Sequence, residues 1–108
     1  STPSTNSKTS TYVITGEFSV EHIDDATVTS IALPEIVNTS RPPTGKVAPG
    51  FMLYLSVNLA GSVTISRAGS DVILRDGVIG SVTSISTTGG TTYAKILIAV
   101  AENTWMLY

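Results

Sequence analysis

A chain of 108 residues with a formal charge of −2 has room for one modest core and no basic surface for a phosphate backbone. Its six Lys and Arg are scattered, and it has no cysteine for a disulfide or thiolate metal site. The longest apolar run, Ile96–Ala101, is far shorter than the ~20 residues of a membrane helix, so neither nucleic acid nor membrane insertion is expected.

In chain order, Ser1–Thr11 is Ser, Thr, Asn and Pro with one Lys. Nothing there can offset the entropy of ordering it, and a linker over 1–11 is expected ahead of one domain over 12–108. The chain opens without Met and is expected to be part of a longer protein. From Tyr12, alternation of Tyr12, Ile14, Gly16, Phe18 and Val20 with Val13, Thr15, Glu17, Ser19 and Glu21 predicts a strand with one mostly wet face and Phe18 facing the core. Ala26–Leu33 reads as a second strand ended by Pro34. Asn38–Gly50, with three prolines and two glycines, reads as a long irregular loop, the kind of segment that often carries function.

Phe51–Leu59 alternates cleanly and should bury Leu53, Leu55 and Val57 while leaving Tyr54 on a polar face. Gly61, Ala68-Gly69-Ser70, Asp76-Gly77, Thr87–Gly90 and Ala101–Asn103 then mark turns. Between them lie strands over Ser62–Ser66, Asp71–Arg75, Val78–Ser86, Thr91–Val100 and Thr104–Tyr108. Tyr93–Glu102 could be written as a helix, but the Thr pair and Gly-Gly before it favour a strand buried on both sides. The result is an all-β fold, an antiparallel β-sandwich of about eight strands, jelly-roll-like. With 42% hydrophobic and only 13% charged residues, so small a domain is expected to hide apolar surface against its own copies, as a homotrimer.

The features from Leu33-Pro34 onward come in a distinctive order. Gly50-Phe51 leads a hydrophobic strand, followed by Gly61-Ser62-Val63-Thr64-Ile65, Gly69-Ser70-Asp71-Val72-Ile73, Gly80-Ser81-Val82 and a closing Asn103-Thr104-Trp105. This order resembles a domain of bacteriophage tail fibres, tailspikes and tail-needle tips, over about two-thirds of the chain. The resemblance implies a homotrimeric virion component, extracellular on the tail, that joins three chains or meets the host surface through a bacterial glycan or protein. It implies no catalytic residues and no cofactor. A carbohydrate-binding β-sandwich module of a secreted or surface protein is the alternative.

The candidate sites follow from residue chemistry. Ser19, His22 and Asp25 have the residue types of a hydrolytic triad, but in an extended chain they do not converge. Glu21, Asp24 and Asp25 could offer oxygens to Ca²⁺, without the spacing of a calcium loop. Neither a catalytic nor a metal site is therefore assigned. Asp71 is expected to bond amides of its own turn. Trp105 and Tyr108 suit a core or subunit interface. Arg41 and Lys46, on the Pro-rich loop, and Tyr54 are the expected binding residues, because a sparsely charged domain must recognise its target through loops and aromatic faces.

Overall fold

The computed structural model describes residues 10–108; residues 1–9 of the expected linker lie outside them. The last two linker residues are already in the fold. Ser10 accepts hydrogen bonds from the Thr29 and Ser30 amides, and Thr11 opens β1 (Thr11–Val13).

The described chain is all-β, in two main layers. One is a four-stranded sheet of β1, β3 (Ser30–Ala32), β7 (Thr64–Ser66) and β10 (Ser84–Ser86), in the order β1-β3-β7-β10. The other holds β2 (Val20–Ile23), β6 (Met52–Asn58), β11 (Thr92–Ala101), β12 (Thr104–Leu107), β8 (Val72–Arg75) and β9 (Val78–Val82), in the order β2-β6-β11-β12-β8-β9. A short parallel pair, β4 (Glu35–Ile36) and β5 (Lys46–Val47), stands beside them. Among the described residues the strands number twelve rather than about eight. They are mixed rather than antiparallel, so the pairing expected of a jelly roll is only partly realised.

The parallel pairs have a simple cause. β1 and β3 lie side by side in one sheet while β2, between them in sequence, belongs to the other. Two crossings between layers reverse the chain twice, so strands returning to a sheet run parallel. Hairpins β8–β9 and β11–β12 stay within one sheet and are antiparallel. Asn103 turns the second at φ 61°, a left-handed conformation that Asn tolerates.

The crossings also explain the first correction. The strand expected over Tyr12–Val20 breaks at Gly16, whose φ is +83° and whose position leaves no room for a Cβ beside Val47. The break shifts the alternation by one. Ile14 faces the core before it, and Glu21 and Ile23 do so after it. Phe18, expected inside, is only half-buried and lies outside the core cluster. The second correction concerns Asn38–Gly50, which is not irregular throughout. Val47 is buried, and its carbonyl accepts the Val37 amide, tying β5 to the segment after Pro34. The third is Val78–Ser86, which divides into β9 and β10 as the chain changes sheet.

One core joins the layers. Ile31 and Ile65 come from the four-stranded sheet, and Leu53, Leu55, Val57, Ile73, Leu97 and Trp105 from the six-stranded one. Leu53, Leu55 and Val57 are buried, as their alternation predicts. Tyr93–Glu102 is strand through Ala101 but is buried on one side rather than both: Leu97 and Ala99 face inward, while Ala94 and Val100 are exposed.

Candidate functional site

The Pro-rich loop forms one wall of an open cleft. Thr15, Gly16 and Glu17 form the other side, and Pro42, Pro43, Thr44, Gly45 and Lys46 this one, around about 560 Å³. Lys46 reaches this cleft but also pairs with Glu35 through Nζ and Oε1. Lys46 N–H donates to the Pro43 carbonyl at 3.0 Å, closing the turn that presents Thr44 and Gly45. Arg41 lies on the same loop, exposed, with its amide on Thr39 Oγ1. It is not part of the cleft lining.

Tyr54 lies elsewhere. It projects from the outer face of the six-stranded sheet and lines an apolar groove of about 420 Å³ with Val20, Ala94, Ile96 and Tyr108. The structure therefore puts Lys46 and Tyr54 in two different concavities. Along β6 alone, Ser56 and Asn58 after Tyr54 make it the one ring on an otherwise polar face. Register across the sheet changes that picture. Val20, Tyr54, Ile96 and Tyr108 form one row, and Met52, Ile98, Met106 and Leu74 the next. Tyr54 is 46% exposed, Met52 39% and Tyr108 53%. Lys95 also borders the groove, but it belongs to the inward series of β11, and its Nζ lies 5.8 Å from the Tyr93 ring centroid. At the sheet's open edge, β9 sets Ser81 opposite Leu74 and Val78 opposite Arg75, with a wholly exposed Ile79 between them.

His22 sits at the corner of this face. Its Nδ1 is 3.2 Å from Ser56 Oγ, and its Nε2 lies 3.6 Å from Asp24 Oδ2. Ser56 and Asp24 are thus among its neighbours. No local signal could have named Ser56, because the pairing of β2 with β6 spans 34 residues. Asp24 is half exposed and beyond hydrogen-bond length from the ring. Ser56 stands mid-strand, opposite Ala94, in the ladder that occupies the strand amides. The arrangement is a polar corner on an apolar face.

The acidic segment is dispersed. Asp25 caps its own turn, accepting from the Thr27 amide at 2.9 Å and the Thr27 hydroxyl at 2.8 Å. Glu21 points inward, 2% exposed, and accepts from the Tyr12 hydroxyl at 2.7 Å. Among the described residues no three His, Asp or Glu side chains come together to hold a metal.

Asp71 departs from expectation. It is fully buried and accepts the amide of Ile36, 35 residues away, so it anchors β4 rather than its own turn. Its other oxygen, Oδ1, has no hydrogen-bond partner. Burial raises the Asp71 carboxyl above the ordinary range, against the Ile36 hydrogen bond. Burial raises Glu21 too, against the Tyr12 hydroxyl, and burial with Glu21 beside it pushes Tyr12 up to about 12.

Both carboxyls bind a proton more tightly folded than unfolded. Their effect on stability is therefore most favourable at or below the ordinary carboxylate range near pH 4, and declines as pH rises through the raised values. The expected result is a urea midpoint that falls as pH is raised from about 4 towards neutrality. Asp71→Asn should flatten part of that slope. A midpoint that climbs over the same interval, or an unchanged slope in Asp71→Asn, would contradict the assignment.

Comparison with known protein families, with characterised proteins and with solved structures finds no match.

Proposed function

We propose that this chain is a homotrimeric tip or C-terminal domain of a phage tail fibre, spike or needle, serving trimerisation and recognition of the host cell surface. The observation that carries the reading is where the motif residues fall. Leu33, Val63, Ile65, Ile73 and Trp105 are all buried, and Asp71 among them holds the Ile36 amide. The features that resemble the tail-protein domain are those on which this fold depends, leaving its loops free to vary with the target.

In this reading the Pro42–Lys46 cleft, with Arg41 beside it, contacts a bacterial surface glycan or protein. Backbone groups, the Glu17 carboxylate and two proline faces suit a weakly charged, hydroxyl-rich ligand. One such site binds weakly, and three on one particle gain avidity without any new contact.

Surface plasmon resonance on immobilised lipopolysaccharide and capsular polysaccharide tests this. The expected result is binding by an assembly of three 11.3 kDa chains, reduced at least tenfold by Arg41→Ala or Lys46→Ala and unaffected by Asp24→Ala. Binding that survives both loop variants would remove the loop from the site. A monomer that binds as tightly as an assembly would favour the carbohydrate-binding module instead.

A further inference from the structure

The two outward faces of this sandwich are written in different residues. Outward positions of the four-stranded sheet form rows Thr11–Ser30–Thr64–Ser86 and Val13–Ala32–Ser66–Ser84. Six of those eight are Ser or Thr, and Thr11 Oγ1 and Ser30 Oγ are hydrogen-bonded at 2.7 Å. That is the composition of a sheet face meeting water. Two outward rows of the six-stranded sheet carry Val20, Tyr54, Ile96, Met52, Ile98, Met106 and Leu74 and no formal charge, with His22, Ser56 and Asn58 beyond them at one end. Because the chain writes Ser and Thr where a sheet is wet, a charge-free aliphatic and aromatic face on its other side is composed for contact.

We infer that the outer face of the six-stranded sheet is the surface through which copies of this chain meet; the inference rests on the homotrimer proposed above. Charge and area select a second copy as the occupant. Charge depletion marks the centre of an interface, because a buried charge must be matched by a partner group. A face with no charges is matched by itself. Among the described residues the acidic and basic side chains lie in loops, on β4 and β5, or on the inward series; Lys95 of that series borders the groove, and His22 stands at the corner of the face. With strands about 4.8 Å apart and same-face residues about 6.8 Å apart, five strands and two rows span roughly 330 Å² in projection, and corrugation raises the accessible area further. That is a substantial part of the ~800 Å² each partner gives a standard interface. Three flat faces set around a common axis enclose an apolar prism, so each copy needs only one such face.

The placement reassigns Tyr54. Its ring belongs to the contact between copies, and recognition of an outside ligand falls to the cleft on the Pro-rich loop.

Sedimentation velocity on the chain, with near-ultraviolet circular dichroism of Trp105 as the check on folding, tests the inference. Wild type and the hydroxyl-face variant Thr64→Glu should sediment as the assembly. Met52→Glu and Tyr54→Glu, both at exposed positions, should keep the Trp105 signal and show a threefold drop in mass. If those two variants remain assembled, the face is wrongly assigned while the oligomeric reading stands. If wild type is itself monomeric at tens of micromolar, both fall, and the face belongs to an unlike partner.

Discussion

Trp105→Ala is expected to cost about 3–5 kcal/mol, a large share of the roughly 5–15 kcal/mol that holds a domain folded. Trp105 is completely buried. Its ring meets Phe51 edge-on, with centroids 6.5 Å apart and planes at 80°, a geometry worth about 0.5–1.5 kcal/mol beyond burial alone. It stands on β12 between Ala99 of β11 and Ile73 of β8, and the small Ala99 leaves space for the indole. Removing it opens a cavity that strands fixed on both sides cannot close. The indole Nε1–H, however, is buried without a hydrogen-bond partner. Leaving such a donor unpaired costs about 1–3 kcal/mol, and Trp105→Phe removes that penalty while keeping a ring against Phe51. Trp105→Phe should therefore lose less than half of what Trp105→Ala loses. Urea denaturation of the two variants decides it: equal losses would mean that the indole N–H has a partner or that the site collapses around any smaller residue.

The contrast between strands that were legible and those that were not has a physical basis. Alternation on β6 and the turn residues Asp76-Gly77 and Asn103 are local signals, and the structure follows them. The split of Tyr12–Val20 was invisible, because Gly16 still fits a period of two when only the alternation of apolar residues is read. Its role appears only when Val47, 31 residues later, packs against its backbone. The same holds for Asp71. Its partner, the Ile36 amide, is set by how β4 docks, and composition near Asp71 says nothing about that. Tyr54 is the most instructive case. On its own strand Ser56 and Asn58 make its face look polar, yet Val20 and Ile96 flank it on the neighbouring strands. The character of a sheet face is a property of rows across strands, and a sequence displays only the columns.

The same distinction gives the second large effect. Leu55 and Tyr54 are neighbours in sequence, but Leu55 is 1% exposed and points into the core, whereas Tyr54 points out of the sheet. Leu55→Ala is expected to cost about 2–5 kcal/mol, because it removes methylenes from between Glu21 on β2 and Lys95 on β11 and leaves a void in a close-packed layer. That loss belongs to the single chain and should not depend on protein concentration. Tyr54→Ala removes surface that only a neighbouring copy would cover. Its cost should appear chiefly through mass action, as a weaker rise of melting temperature with concentration than wild type shows. Thermal melts across a hundredfold range of concentration separate the two. Parallel curves for wild type and Leu55→Ala, with a flatter one for Tyr54→Ala, are the expected pattern. A flat curve for wild type would mean that folding is not linked to assembly, and a steep one for Tyr54→Ala would mean that the copies meet elsewhere on the domain.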